Sequence, residues 1–368
     1  MTKNAITLLA SGNSLGAYIP AIHLREYLAR QHVRAEVQVL ETLYREETRS
    51  KINGYKKAFH DNFSVALTGH RMAKDISPNL DDSAVRRLHA HWRQTGCATF
   101  IAFTGFWLPI LEAYKEVAGF PVHIEWIHMD ACDTPSYKVY KSSYQAYRNV
   151  QFYDPGLGSP GYLIASPDAE HASFEERNDR FLIHGGGWGI GTYRDKIERL
   201  RRGGCRLDII AYDESEVQED DGETRYFMVD PEWSPWIKDA GGAYTYPPML
   251  ELVRRQGTVE RRRLPDYASY LELVRLSRAV ISKPGGATLN DSLVYATPLL
   301  LLEPFGNHEG SNADFWKRCG FGISFDAWEE DGFPAAPLQA CHERLRKQRM
   351  TACHYGREFD TAPKERYV

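Results

Sequence analysis

Three times along this chain, an apolar, strand-like segment runs into a glycine-rich turn and then into a helical pattern. The turns lie at residues 11–16, 185–191 and 284–288. Glycine allows the backbone angles that such turns need and lets a ligand approach the main chain. The helix that follows offers unpaired N–H groups and the positive end of its dipole, which suit a phosphate. The pattern therefore predicts parallel α/β sheets with candidate anion sites at their strand ends.

The predicted strands fall into two groups, separated by a stretch rich in Pro, Gly, Asp and Ser that begins near residue 153. The strands are predicted at residues 5–10, 34–40, 97–103 and 123–128, and then at 181–184, 207–212, 279–282 and 298–302. A length of 368 residues also exceeds the usual size of one hydrophobic core. We therefore predict an α/β protein of two Rossmann-like domains. The predicted segments are residues 1–158, a linker at 159–178, a second domain at 179–345, and a tail at 346–368 that packs back on the first domain.

Composition and charge narrow the functional class. The formal net charge is −4, which disfavours a nucleic-acid-binding surface. The apolar run near the start is too short for a secretory signal, and the longest aliphatic stretch elsewhere, residues 298–302, is too short to span a membrane. The six cysteines show no CxxC spacing, as expected for reduced thiols. We therefore expect a cytoplasmic protein with no integral membrane segment and no nucleic-acid partner.

The glycine turns do not match the common nucleotide-binding motifs. Residues 185–191 read GGGWGIG, which fits GxGxxG in no register, and GxxxxGK[ST] is absent from the chain. A dinucleotide-dependent dehydrogenase and a P-loop kinase are therefore disfavoured. A glycine turn is also what any short strand-to-helix connection needs, so one turn alone does not identify a site.

A more specific pattern surrounds the third turn. SKPGGAT at residues 282–288 is followed by Asp291, by ATP at 296–298, by His308-Glu309 and Asn312-Ala313, and by CGFG at 319–322. This ordered set resembles the donor-binding signature of GT-B glycosyltransferases, such as the lipid II-forming N-acetylglucosaminyltransferases of peptidoglycan synthesis and the family 1 type natural-product transferases. The resemblance implies two Rossmann-like domains facing across a cleft. The first domain would bind the acceptor and the second a nucleotide-sugar.

The resemblance also implies roles for individual residues around the donor. The diphosphate would lie against the third turn, the acid after it would bind the ribose hydroxyls, and the next polar group would hold the sugar. The residues concerned are Gly285, Gly286, Ala287 and Thr288 at the turn, then Asp291, His308, Glu309 and Asn312. Gly186 and Gly187 would approach the phosphates, and Pro265 belongs to the loop expected at the nucleobase.

The catalytic base departs from the family pattern. Inverting transfer needs a group that takes the proton of the acceptor hydroxyl. Related enzymes often place a histidine in the first loop, but alignment on Pro20 puts Ala17 there. The substitutes that we predict, in order of preference, are Asp130, His128 and His70. A histidine at a strand end is also commonly a structural residue.

The remaining expectations concern metal, co-substrate and acceptor. No DxD-type pair stands at a strand end, so we predict metal-independent transfer from a UDP-sugar co-substrate, without a further cofactor, to a small-molecule acceptor in natural-product or cell-envelope biosynthesis. Peripheral membrane contact and oligomeric state stay open. Two alternatives also remain: a nucleotide-sugar epimerase or hydrolase on the same fold, and a non-catalytic transferase-like partner protein, which the missing histidine favours.

Overall fold

Two separate sheets, one parallel and one mostly parallel, organise the chain in the computed structural model, which describes residues 5–71 and 73–361. The first sheet has the strand order β2-β1-β3-β4-β5, and all its pairings are parallel. Its strands are β1 (Ile6–Ala10), β2 (Ala35–Val39), β3 (Thr99–Ala102), β4 (His123–His128) and β5 (Arg148–Gln151). The helices of this half are α1 (Leu15–Arg30), α2 (Glu46–Ser50), α3 (Ile52–Asp61), α4 (Phe63–Arg71), α5 (Asp82–Gln94), α6 (Leu108–Ala118), α7 (Pro135–Val139) and α8 (Lys141–Tyr144).

The second half of the chain builds a larger sheet with the order β11-β10-β9-β8-β7-β12-β13-β14. Its strands and those of a small accessory pair are β6 (Tyr162–Leu163), β7 (Arg180–His184), β8 (Arg206–Ile210), β9 (Thr224–Val229), β10 (Met249–Arg255), β11 (Thr258–Arg263), β12 (Ala279–Ser282), β13 (Leu299–Leu301), β14 (Gly322–Ser324) and β15 (Cys353–His354). Its helices are α9 (Tyr193–Arg202), α10 (Tyr267–Leu276), α11 (Gly286–Tyr295), α12 (Asn307–Cys319), α13 (Phe325–Glu330), α14 (Ala335–Thr351) and α15 (Glu358–Thr361).

The prediction of two parallel α/β halves is confirmed. The apolar runs form buried strands because both faces of each sheet are covered by helices. The hairpin β10–β11 extends the second sheet by antiparallel pairing, and the sequence analysis did not predict it. Most residues of β11 are exposed, so this strand lacks the alternation of apolar and polar residues that marks a half-buried strand.

The two halves share one apolar core. Helix α1 packs directly on α11, and buried residues of both sheets belong to the same cluster. Tyr153, in the connection after β5, lies edge-on against Trp316 of α12 with ring centroids 5.4 Å apart. Burial of this apolar surface holds the halves together, since each Å² removed from water contributes about 25 cal/mol.

One connection of the second sheet leaves its own half. Residues 230–248, between β9 and β10, are called the crossing segment here, because they run across to helix α1 of the first half. The hydroxyl of Tyr18 donates to the carbonyl oxygen of Thr245 (2.8 Å), and Arg25 donates to that of Tyr244 (2.6 Å). The crossing segment therefore covers one side of the cleft between the two halves.

The chain also returns to the first half after α14. Strand β15 pairs in parallel with β6, and the hydroxyl of Tyr355 donates to Oε2 of the buried Glu125 on β4 (2.7 Å). Arg148 of β5 bridges Glu125 and Glu358 at 2.8 and 2.9 Å. The predicted domain boundaries at 158, 178 and 345 remain predictions, and residues 362–368 of the predicted tail lie outside the described part of the chain.

Candidate active site

The strand order of the second sheet reverses next to β7. From β7 the chain moves to β8 on one side, and it later returns to β12 on the other side. The turns at residues 185–191 and 284–288 follow β7 and β12, which are hydrogen-bonded neighbours. In open α/β sheets ligands bind outside the carboxyl ends of the strands at such a reversal. The fold therefore brings two of the three predicted turns together at the place where a ligand is expected.

The 284–288 turn leads directly into helix α11. Gly285 is the N-cap residue, and no side chain caps the helix. The first N–H groups of a helix have no partner within it, so the amides at this end are available to a ligand. Leu289 and Leu293 are fully buried and fix the helix on the sheet. The predicted residues Gly286, Ala287 and Thr288 thus lie at an uncapped helix N-terminus.

Lys283, to which the sequence analysis gave no role, lies between the two turns. A Cβ placed on Gly186 would be 3.7 Å from Lys283 Nζ, and one on Gly285 would be 3.8 Å from the same atom. The ammonium also donates to Oε1 of Glu309 at 2.5 Å. The sequence signal was a cation directly before a glycine turn. The role of this cation depends on the 185–191 turn, which is about a hundred residues away in the chain.

The predicted sugar-binding residues His308 and Glu309 lie at the start of α12, and Glu309 also makes contacts within the protein. Glu309 is buried, and its second oxygen accepts from the backbone N–H of Phe305 at 2.7 Å. Its carboxylate therefore fixes both Lys283 and the loop before α12. His308 is half-buried in the first turn of the same helix.

Asn312 joins the 284–288 turn to the first half of the molecule. Its Nδ2 donates to the carbonyl oxygen of Pro284 (2.8 Å) and to Oδ1 of Asp130 (2.7 Å), while its Oδ1 accepts from the N–H of Ala131 (2.7 Å). The side chain is fully buried. Asn312 therefore sets the distance between the turn and the Asp130 loop.

Asp291 lies one turn into α11 among aromatic hydroxyls. Burial raises the pKa of Asp291 to about 7, and its charge acts on four tyrosines. These are Tyr153, Tyr267, Tyr270 and Tyr295. In the part of the chain that the structure describes, no cation pairs with this carboxyl. A hydrogen bond from the Asn290 side chain offsets part of the burial effect on this pKa. A carboxylate without a paired cation is a good acceptor for the two hydroxyls of a diol.

The remaining residues that are predicted to bind the donor lie in the 185–191 turn and in the loop before α10. Gly186 has φ +72°, and its N–H donates to Nδ1 of His184 at 3.0 Å. Burial and the nearby Lys283 ammonium lower the pKa of His184 to about 4, so the ring is neutral and accepts this bond. Gly187 packs against Leu15 of the first half. Pro265 is exposed, directly before the N-cap of α10.

The three predicted bases occupy different environments. Asp130 is half-buried, and its Oδ1 lies 3.1 Å from the position of a Cβ on Gly286. His128 is only 2% exposed, stacks on Tyr137 and bonds Asn149 through Nε2 (2.8 Å), and burial lowers its pKa. The surroundings of His128 are those of a structural residue. The side chain of His70 lies outside the described residues. The structure thus brings Asp130, alone of the two described candidates, next to the donor turn.

The first glycine turn, at residues 11–16, is occupied by the protein itself. The carboxylate of Glu41 accepts from the hydroxyl of Ser11 (2.6 Å) and from the amides of Gly12 (2.7 Å) and Asn13 (3.0 Å). Glu41 has no exposed surface. Burial raises its pKa, and these hydrogen bonds partly offset the effect. This turn does bind an anionic group, but the group is a side chain of the same chain.

Two searches of the described residues bear on metal and membrane. No group of three or more His, Cys, Asp and Glu side chains is arranged to hold a metal ion within residues 5–71 and 73–361. Over the same ranges, every helix is too short or too polar to cross a bilayer.

Comparison with solved structures identifies the architecture. The chain superposes over nearly its whole length on MurG of Acinetobacter baumannii (TM-score 0.51, 10% identity, 97% of this chain and 98% of that one). The same holds for the glycosyltransferase SsfS6 of Streptomyces sp. SF2575, complexed with thymidine diphosphate (0.56, 10%, 97% and 99%), and for UGT2 of Phytolacca americana, complexed with UDP-2-fluoro-glucose (0.53, 9%, 99% and 97%). The protein has the GT-B fold of glycosyltransferases, as the sequence resemblance predicted.

Sequence comparison alone reaches less far. No protein-family model matches the chain. Processive diacylglycerol β-glucosyltransferases of Bacillus pumilus and Bacillus subtilis are 30% identical over 92 residues and 36% identical over 59 residues, which is 24% and 16% of this chain. The chain spans 24% and 15% of the length of these relatives.

Proposed function

We propose that this protein is a glycosyltransferase that takes a sugar from a nucleoside diphosphate sugar, with UDP as the nucleotide, and transfers it to a small-molecule acceptor. The observation that carries the proposal is the position of the Lys283 ammonium between the Gly186 and Gly285 backbones. A cation next to an uncapped helix N-terminus suits two linked phosphates, because both the amides and the ammonium stabilise negative charge.

The other contacts of the donor follow from this placement. Asp291 would accept hydrogen bonds from the ribose hydroxyls, which a carboxylate without a paired cation does well. His308 would bind hydroxyls of the donor sugar from the start of α12, while Glu309 would orient Lys283. The loop that contains Pro265 would meet the nucleobase.

The proposed chemistry is direct displacement with inversion. The acceptor hydroxyl oxygen attacks the anomeric carbon, and the bond from that carbon to the phosphate oxygen breaks. The electron pair leaves with the nucleoside diphosphate, and the hydroxyl proton passes to the carboxylate of Asp130. Asn312 holds that carboxylate beside the donor turn. Lys283 and the α11 amides stabilise the charge of the leaving group.

We place this reaction in cytoplasmic biosynthesis of a natural product or a cell-envelope component. The six cysteines are free, which agrees with a reducing compartment. The proposed reaction uses no metal, so transfer should survive EDTA. A loss of activity in EDTA that Mg²⁺ or Mn²⁺ restores would contradict this part of the proposal.

A thermal-shift panel of nucleoside diphosphates and nucleotide-sugars tests the donor site. A ligand that binds only the folded state raises the melting temperature. At a ligand concentration of a hundred times its Kd, the free energy of unfolding increases by about 2.7 kcal/mol. We expect UDP and a UDP-sugar to raise it, and Asp291→Ala to remove most of the shift. Glu272→Ala, on an exposed part of α10, is the matched control and should keep the shift.

The same panel separates the competing activities. Turnover of the donor without an acceptor would favour an epimerase or a hydrolase. Donor binding without turnover across a broad acceptor panel would favour a non-catalytic partner protein. If no activated sugar raises the melting temperature, the proposed function is wrong.

A further inference from the structure

The crossing segment covers the first glycine turn at close range. A Cβ placed on Gly12 would lie 2.6 Å from Cγ of Pro235 and 3.1 Å from a ring carbon of Trp236. Trp233 meets Tyr18 of α1 edge-on at 5.6 Å. Pro235 and the Trp236 indole of the opposite half therefore cover the turn that a GT-B fold directs toward the acceptor.

A lysine of the first half also lies close to the Trp236 indole. Lys56 of α3 places its ammonium 5.4 Å from the centre of the Trp236 ring and 5.5 Å from that of Trp188, which belongs to the 185–191 turn. The side chain is half-buried. Burial lowers the pKa of Lys56, and the charge of Glu41 offsets part of this effect. The ammonium is thus partly removed from water at the meeting point of three segments.

Lys56 has no anionic partner of its own. Among residues 5–71 and 73–361, no hydrogen bond or ion pair joins its ammonium to a protein oxygen. The nearby carboxylate of Glu41 is already bonded to Ser11 and to two amides. The neighbouring Lys57 shows the usual arrangement instead, because it pairs with Asp61 of the same helix at 2.9 Å. A desolvated cation without a carboxylate favours an anion that comes from outside the chain.

Several polar atoms of the 11–16 turn, the 185–191 turn and the crossing segment also lack partners within the described residues. The indole N–H groups of Trp188 and Trp233, the hydroxyl of Ser234 and the amide oxygen of Asn13 are buried, and none bonds to a described residue. They belong to the same three segments: the first turn, the 185–191 turn and the crossing segment. Buried polar groups are nearly always hydrogen-bonded in native structures. The unpaired indole N–H of Trp188, whose ring lies beside the Lys56 ammonium, is therefore a donor that a ligand can use.

We propose that Lys56, Trp188 and Trp236 form an acceptor subsite that takes a planar ring carrying an anionic group. The indole rings border the planar ring, and the ammonium, which lies over both indoles, binds the anion. This inference rests on the proposed function, because it assigns the bound molecule the role of acceptor. The Glu41 carboxylate repels a second negative group from the 11–16 turn. The anionic group of the bound molecule therefore pairs with Lys56 instead.

The subsite is tested with a matched pair of probes and the full chain. The probes are 4-hydroxybenzoate and 4-hydroxybenzamide, which share ring and hydroxyl and differ in charge. We expect ligand-observed NMR titration to show the carboxylate binding about tenfold more tightly than the amide, with a preference that weakens in salt. Lys56→Met, which keeps an unbranched stem between the indoles, should remove the preference, and Lys56→Arg should keep it. Lys57→Met is the control and should also keep it.

The outcomes separate this subsite from its alternatives. Equal binding of both probes to the wild type would overturn it, as would a Lys56→Met variant that melts earlier yet still prefers the carboxylate. Lys56-dependent co-sedimentation with phosphatidylglycerol vesicles, but not with phosphatidylcholine vesicles, would overturn it in favour of a lipid headgroup if the probes show no preference. The UDP-induced shift should persist in Lys56→Met. If UDP shifts no variant while the carboxylate preference holds, the anionic subsite stands and the proposed donor chemistry fails.

Discussion

The two parallel sheets end in comparable places but treat an anion in opposite ways. In the first sheet the strand order reverses beside β1, and the 11–16 turn follows that strand; in the second it reverses beside β7 and β12. The amides of the 11–16 turn bind the carboxylate of Glu41. The 284–288 turn has no side-chain cap. It lies beside the ammonium of Lys283 and beside the Glu309 carboxylate that pairs with this ammonium, and neither group caps the helix amides.

This contrast teaches that a glycine turn is only half of a phosphate site. The backbone supplies N–H groups in both places, and one charged side chain from elsewhere decides their use. A buried carboxylate satisfies the amides and repels a phosphate, whereas an ammonium adds to their attraction. The predictions below test whether this difference in charge is the one that matters.

The largest effect should come from a methyl group on the 284–288 turn. In Gly286→Ala the Cβ would lie 2.0 Å from the carbonyl oxygen of Met129 and 2.8 Å from its carbon, both of which are backbone atoms. The turn must then move or the two halves must separate. We expect no measurable UDP-induced thermal shift and a fall in turnover of at least about a hundredfold, or ~2.7 kcal/mol.

The equivalent change in the first half is the control. In Gly16→Ala the nearest atoms are Ser14 Oγ at 3.5 Å and Ala287 Cβ at 3.9 Å, which are ordinary contacts. This variant should bind UDP like the wild type. Equal behaviour of the two alanine variants would show that close packing at Gly286 has no functional role.

Removal of the internal anion should come next. Glu41→Ala leaves the Ser11 hydroxyl and the amides of Gly12 and Asn13 buried without an acceptor, at a cost of about 2 kcal/mol. The melting temperature should fall by roughly 2–4 °C, since the shift for a given loss of stability shrinks as the chain grows longer. Inorganic phosphate should restore part of the loss in this variant and not in the wild type, because the emptied turn can then bind it.

Glu36→Ala is the control for that experiment. Glu36 lies on β2, in the same region, but its side chain is 52% exposed and pairs only with Arg34 at the surface. Surface pairs contribute about 0–1 kcal/mol, so little change is expected. A Glu41→Ala variant that melts like Glu36→Ala would show that the carboxylate does not organise the first turn.

Loss of the Lys283 ammonium beside the 284–288 turn should have a somewhat smaller effect. We expect Lys283→Met to lower kcat/KM by about ten- to thirtyfold, or ~1.4–2 kcal/mol, because one charge-assisted contact to the leaving diphosphate is lost. The change also leaves Glu309 buried without its cation. The double variant Lys283→Met/Glu309→Gln removes both charges and separates the two effects.

Steady-state kinetics of these variants supply the check on Lys283. If the double variant recovers wild-type kcat/KM, the ammonium serves only to neutralise Glu309. Lys317→Met, at an exposed position of α12, should change nothing.

The smallest effect should be a pH dependence set by Asp291. Its pKa of about 7 means that the carboxylate, the better acceptor for a ribose diol, is lost as the pH falls. UDP affinity of the wild type should drop by about tenfold between pH 8 and pH 6. Asp291→Asn should bind weakly with no such pH dependence. Isothermal titration at several pH values measures both.

In the absence of ligand, the contribution of Asp291 to folding stability falls as the pH rises, whereas UDP affinity is expected to increase with pH. A raised pKa means that the folded protein holds the Asp291 proton more tightly than the unfolded chain does. The contribution of Asp291 to stability is therefore full below a pH of about 4 and is lost as the pH rises through about 7. Asp291→Asn should melt at a higher temperature than the wild type at pH 8. An unchanged melting temperature would show that this carboxyl is not destabilised by burial.

Much of the fold followed from local patterns in the sequence. The apolar runs at residues 97–103 and 279–282 contain β3 and β12, and the glycine turns after residues 10, 184 and 283 mark where strands give way to helices. Helix α1 begins at Leu15, directly after its N-cap residue Ser14 in the first glycine turn. Such signals work because strand, turn and helix are determined within about ten residues.

Long-range features could not be seen in that way. Glu41 lies about thirty residues beyond the turn that it fills, and in the sequence it is one acid in a polar stretch. Lys283 gains its role only through Gly186, in the turn after the neighbouring strand β7. The path of the crossing segment depends on contacts between its main chain and α1, and carbonyl groups are the same in every residue.

The return of the chain to β4 and β6 has a mechanical consequence. The linker after β5, the crossing segment and the final segment each tie one half of the molecule to the other at a separate point. Three separate tethers resist a wide hinge, because rotation about any one of them strains the other two. Tyr355, bonded to a fully enclosed glutamate, is the last of these tethers. A wide opening of the cleft would therefore have to break the contacts of all three tethers.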